Sequence, residues 1–207
     1  MKAPPPMLAR RAALGAIELS SIARGIVVLD QMQKRAETEV VTNRTLSPGR
    51  YLIAISGSVA EVEESMAIAL FTAAEDKVDH VTLPDPARDL LRALNTELEH
   101  VLQESLLIVE TSTVSALLLG ADRAVKEAEV QLLELRLGAG LTGKGVFTLT
   151  GPLHMVEASK AAIQGAVGPD RLVRIELIAQ PHPDLPERLL EAERVWVRGT
   201  KKKKKKV

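Results

Sequence analysis

The chain has 207 residues, 46% hydrophobic and 26% charged, with one Trp, one Tyr, two Phe and no Cys. That is the composition of a soluble globular protein; it excludes disulfides, thiolate metal sites, thiol catalysis and cysteine-held iron–sulfur clusters, and offers no aromatic platform for single-stranded nucleic acid. The net charge of zero hides an imbalance, because Lys201 to Lys206 supply six of the 27 basic residues and leave 21 basic against 27 acidic in the rest, a poor footing for nucleic acid.

Residues 1–12, with Pro4, Pro5 and Pro6, read as a disordered lead-in without the apolar run of a secretory signal. Nowhere do 18 apolar residues run together, so no membrane partner and a cytoplasmic setting are expected. Ala13 to Leu19 reads as a buried strand. A helix is predicted from Ile22 to Ala36, with Ile22, Ile26, Leu29 and Met32 or Gln33 as its core face and Ser20 or Ser21 as its cap. Glu39–Leu46 and Arg50–Ser56 are strands joined by a Ser47-Pro48-Gly49 turn. A helix to about Ala74, with Val59, Val62, Met66 and Leu70 inward, precedes a short strand, His80–Leu83, and a bridging helix, Arg88 to about Glu99.

The next stretch repeats this order: strand 105–111, helix 113–127, strand 130–137, Gly-rich loop 138–145, strand 146–150, helix 153–166 and strand 171–179. A last helix is expected over Asp184–Ala192, then a strand in RVWVR and a solvated Lys201–Lys206 tail. The residues repeat as well. At a shift of 92, Glu18 falls on Glu110, Ser20 on Ser112, Asp30 on Asp122 and Lys34 on Lys126. At a shift of 94, Gly49, Gly57, Val62 and Ser65 fall on Gly143, Gly151, Val156 and Ser159. A self-match over about 80 residues marks a duplicated domain. The expected division is lead-in 1–12, first domain 13–100, second domain 104–192 and tail 193–207. Each domain is β-α-β-β-α-β, an α+β fold of α/β-sandwich, split β-α-β, ferredoxin-like type, with helices on one face of a small sheet.

ALGAIE, the helix end DQMQKRA, the strand–Gly turn–strand, ISGSVAEVEESM and the terminal RIELIAQPH together resemble the bacterial microcompartment (BMC) shell domain. The resemblance spans about 13 to 94 and 104 to 190. It implies a tandem, trimer-forming shell protein: a homotrimer whose six domains make a pseudohexameric tile in a compartment shell within the cytoplasm. Both copies begin on the same strand, which implies the non-permuted, single-layer type. Implied partners are hexameric and pentameric shell proteins at the tile edges and small metabolites crossing a central pore. Implied pore-lining residues are Leu46, Ser47, Pro48, Gly49, Leu141, Thr142 and Gly143. Arg50 and Lys144 follow the loops and suggest a positive ring at one mouth.

Lys34 and Lys126 match the family's edge lysine, whose three donors can satisfy carbonyls across a seam; otherwise they form plain i,i+4 pairs with Asp30 and Asp122. Asp85 and Gln180 stand where the family has an edge arginine, and His182 keeps the last edge position. Some tandem relatives hold an iron–sulfur cluster through cysteine, which this chain lacks, and no cofactor or metal is expected. The four histidines show no metal spacing. Gly138-x-Gly140-x-x-Gly143 has dinucleotide-site letters but lies in a hairpin that opens no helix, so no enzyme is expected. The rival reading is a regulatory trimer of β-α-β domains binding a small molecule.

Overall fold

A computed structural model describes residues 13–95, 98, 102–138 and 140–185. In the first unit β1 (Ala13–Leu19), α1 (Ile22–Arg35), β2 (Glu39–Leu46), β3 (Arg50–Gly57), α2 (Val59–Ala73) and β4 (Lys77–Leu83) follow in turn. After α3 (Arg88–Asn95), the second unit repeats them as β5 (Ser105–Thr111), α4 (Val114–Glu127), β6 (Gln131–Arg136), β7 (Gly145–Gly151), α5 (Leu153–Val167) and β8 (Leu172–Ile178). The sheets are antiparallel, in the orders β2-β3-β1-β4 and β6-β7-β5-β8. The expected α+β order is present in both units. β4 starts at Lys77, ahead of the expected His80. The expected lead-in, α3 as far as Glu99, the last helix past Leu185, the RVWVR strand and the lysine tail lie outside the described residues.

β1 is apolar at every position but Glu18, without the alternation of a half-exposed strand, and its packing explains why. One face, with Ala13, Ile17 and Leu19, packs with Ile53, Ile55, Val28, Met32, Val62, Met66 and Ala69 under the unit's own helices. The other face, with Leu14 and Ala16, is buried with residues of the second unit. A strand covered on both sides has no polar side to show, and each aliphatic side chain so buried stabilises by about 1.5–3 kcal/mol.

The helix starts follow their caps. Ser21 Oγ accepts from the Arg24 N–H at 3.2 Å, and Thr113 Oγ1 from Ala116 N–H at 3.1 Å. Ser58 and Glu61 form a reciprocal capping box, and these hydrogen bonds hold the Glu61 carboxyl below its ordinary pKa.

The core face expected for α1 is corrected in part. Met32 is buried and Leu29 half-buried against the core as expected, with Gly25 and Val28 beside them, whereas Ile22 is 37% and Ile26 57% exposed. Gly25 makes this possible: a Cβ there would stand 2.3 Å from Tyr51 Cδ1. In the second unit the same contact is made with the sizes exchanged, Leu117 on the helix against Gly145 on the strand, where a Cβ would stand 2.6 Å from Leu117 Cβ. Val59 in α2 is also exposed, not inward as expected.

Candidate functional site

The two units meet where α4 crosses the second face of the first sheet. Leu14, Ala16, Leu52, Ala54, Val81 and Leu83 share one apolar cluster with Val114, Leu118 and Ala121 of α4. At its edge the fully buried Glu18 places Oε1 2.7 Å from the Ser115 N–H. A carboxylate there meets the unpaired N–H groups and positive end of the helix dipole. Its Oε2 is buried without a partner. Burial is the main cause raising the Glu18 pKa to about 7; the hydrogen bond from the Ser115 N–H opposes it, Asp79 adds to it, and Arg50 opposes it.

Polar contacts flank this point along the seam. The Thr113 hydroxyl donates to Asp79 Oδ2 at 2.5 Å, and Arg171 Nη1 lies 3.6 Å from Asp79 Oδ1. Ala87 N–H donates to Asp122 Oδ1 at 2.7 Å, while Lys126 Nζ bridges Asp122 Oδ2 at 2.7 Å and the Asp85 carbonyl at 2.5 Å. Arg44 Nη2 donates to the Leu137 carbonyl at 3.1 Å, and burial lowers the Arg44 pKa.

The matching positions on the opposite sides of the two units are open. Ile22 and Ile26 correspond to Val114 and Leu118, which are 0% and 1% exposed. Ile108 and Glu110 of β5 correspond to the buried Ala16 and Glu18 but are only half-buried. Ile178 of β8, exposed, corresponds to the buried Leu83, as the strand partners Leu14–Leu83 and Leu106–Ile178 require. One half-seam is thus used inside the chain, and both complementary halves of a second face solvent.

The two Gly-bearing loops lie side by side. A Cβ on Gly143, whose φ is +82°, would stand 3.2 Å from the Ser47 carbonyl and 3.0 Å from Arg50 Nη1. Ser47, Pro48, Gly49, Gly140 and Thr142 are exposed, Leu141 half-buried and Gly143 buried. Leu46 is 1% exposed and packs against Gly138. Arg50 Nη1 donates to the Ser112 carbonyl at 3.4 Å, and Lys144 Nζ pairs with Glu110 Oε1 at 2.6 Å. Gly138, Gly140 and Gly143 all have positive φ and join β6 to β7, with no helix opening from the loop.

Of the residues expected at tile edges, the structure brings Lys126 and Asp85 together on the intrachain seam, with Lys126 partly covered. Lys34 is exposed and pairs with Asp30 Oδ2 at 2.6 Å. Gln180 is exposed, and His182 Nδ1, also exposed, lies 3.5 Å from Asp184 Oδ2. Sequence reasoning missed Glu18, Asp79 and Arg171 as seam residues. For Glu18 the signal was present: an acid inside an apolar strand, repeated at Glu110.

A family model described as the BMC domain matches the chain twice, over residues 13–86 and 105–181. The chain is 31% identical over 180 residues to the bacterial microcompartment shell protein PduT of Citrobacter freundii, covering 86% of this chain and 98% of that one. Among solved structures, a microcompartments protein from Desulfitobacterium hafniense DCB is similar at a TM-score of 0.76 and 35% identity, over 86% of this chain and 99% of that one. The fused permuted hexameric shell protein MSM0275 from the RMM microcompartment shares the fold at a TM-score of 0.59 and 19% identity, over 75% of this chain and 83% of that one. With the family model on both repeats and a relative aligned over nearly its whole length, the chain belongs to the BMC domain family, as a tandem member with two domains.

Proposed function

We propose that the chain is a structural tile of a bacterial microcompartment shell: three copies close into a ring of six domains around a central opening, and rings meet edge to edge. The observation that carries this is the half-used seam. An interface that joins unlike surfaces repeats head to tail until it closes into a ring or runs on as a filament. The apolar face of α1, with Ile22, Ile26 and Val27 exposed, and the β5–β8 face, with Ile178 exposed, are its two unused halves. Carried from one seam to the other, the intrachain contacts predict that Glu110 accepts from the Ala23 N–H of the next chain, that the His182 N–H reaches Asp30, and that Lys34 reaches the Gln180 carbonyl. The names of the relatives agree with a shell role.

In such a ring the two loops alternate around the axis. Ser47, Pro48, Gly49, Leu141, Thr142 and Gly143 supply hydroxyls, backbone and one aliphatic side chain to the opening, and Leu46 stands behind them. Arg50 and Lys144 sit at its mouth, with the Lys144 charge answered by Glu110, so the passage suits small polar metabolites over strongly charged ones. Hexameric and pentameric shell proteins are the partners at the outer edges, and the compartment lies in the cytoplasm.

Native mass together with electron microscopy of concentrated protein tests the reading. Three-chain particles that assemble into sheets, alone or with a hexameric shell protein, are expected. Trimers that never associate laterally would leave the ring and remove the tile; a monomer at all concentrations would remove both.

A further inference from the structure

Residues lining the intrachain seam have counterparts on the two open faces, and one pair of charges is reversed between the two sets. Within the chain, Arg171 of the second domain reaches Asp79 of the first at 3.6 Å. The repeat gives each a counterpart. The Ser20 N–H donates to the Asp76 carbonyl as the Ser112 N–H donates to the Arg171 carbonyl, so Asp76 is the match of Arg171. Glu18 pairs in register with Asp79 as Glu110 pairs with Arg174, so Arg174 is the match of Asp79. The position that is basic on one seam is acidic on the other, and the reverse holds for its partner. The combined length of the two side chains is unchanged, so the same gap is spanned.

Resting on the trimer reading above, we propose that Arg174 of one chain pairs with Asp76 of the next, and that this reversed pair makes each domain accept only an unlike neighbour. A first domain set against another first domain would bring Asp76 to Asp79. A second domain set against another second domain would bring Arg171 to Arg174. Like charges facing each other across a desolvating interface select against such pairings more strongly than the matched pairs raise affinity. The free chain is prepared for this contact. Arg174 is 72% exposed, and its nearest acid, Glu176, is 3.8 Å away. Asp76 is held in place by the Ser20 hydroxyl at 2.9 Å and by Arg24 at 3.5 Å.

The test is native mass over a dilution series of the full chain, comparing wild type with Arg174→Met, Arg174→Asp and the reversed double variant Asp76→Arg/Arg174→Asp. Because Arg174 is exposed in the free chain, neither of its single variants threatens folding. The trimer of Arg174→Asp is expected to dissociate at about ten- to hundredfold higher protein concentration than wild type, with Arg174→Met between them, and added salt should narrow the gap. The reversed double variant is expected to recover part of the loss. Equal dissociation of Arg174→Met and Arg174→Asp at low salt overturns the pairing even if the double variant proves unstable. A monomeric wild type would overturn instead the ring on which the proposal rests. The absence of cysteine gives an independent check: Asp76→Cys/Arg174→Cys should join chains through a short bismaleimide, whereas either substitution alone should give no chain-to-chain product.

Discussion

The Glu18 carboxyl accepts the Ser115 N–H at 2.7 Å across a sequence separation of 97 residues, fastening a central strand of one domain to the first helix of the other. Because burial raises the Glu18 pKa from 4.5 to about 7, the folded state binds a proton that the unfolded chain has already released between those values. This contribution is full below about pH 4.5, declines as pH rises and is gone above about pH 7, a span worth about 3 kcal/mol. Thermal unfolding of wild type should therefore fall from pH 5 to pH 8 relative to Glu18→Gln, which keeps an acceptor for Ser115 but carries no charge. Parallel profiles for the two proteins would remove Glu18 as the source.

Ile26 and Leu118 hold matching places on α1 and α4 but differ in exposure within the chain, 57% against 1%. Leu118→Ala should destabilise folding by about 2–5 kcal/mol, as core truncations do. Ile26→Glu should change the folding of the chain by less than about 1 kcal/mol, because the position is exposed, and yet abolish the proposed trimer. Denaturant titration and native mass read the two effects separately.

The two lysines should separate in the same way. Lys126 reaches Asp122, whose side chain is 2% exposed, and the Asp85 carbonyl. Lys126→Ala should cost about 1–3 kcal/mol in denaturant unfolding by leaving a buried carboxylate short of a partner. Lys34→Ala, whose pair is exposed on both sides, should cost no more than a few tenths and act only on association between chains.

Gly25 and Gly165 give opposite expectations for one substitution. Gly25→Ala drives a Cβ into the Tyr51 ring and should destabilise by about 1–3 kcal/mol. Gly165→Ala meets nothing within 4 Å in α5 and should stabilise by about 0.5–1 kcal/mol. Melting temperatures moving in the same direction would contradict the geometry.

The duplication, the order of elements and the cap of α1 could be read from residues alone, because each rests on local chemistry: Ser21 before an apolar helix, Gly at the hairpins. The fate of Ile22 and Ile26 could not. Periodicity reports that a helix has an apolar face but not which body covers it, and α1 carries two such faces, one inward through Val28 and Met32 and one outward. Leu46 was legible as the neighbour of a turn, while its burial against Gly138 depends on a loop 92 residues away. Glu18, Asp79 and Arg171 come together only once the domains dock. The pore and edge residues were read from the family resemblance, and the geometry adds which of them share a surface.

Joining the domains through one polypeptide also changes how a ring can be built. The seam at Glu18 and Ser115 closes without a collision, at the high effective concentration that a short tether imposes, on the order of millimolar. In a closed ring of six domains every second joint is then intramolecular, and the reaction order in chains is three where separate subunits would need six. Dilution can loosen only the alternate joints, so such a ring sheds domains two at a time and repairs a vacancy in a single binding event.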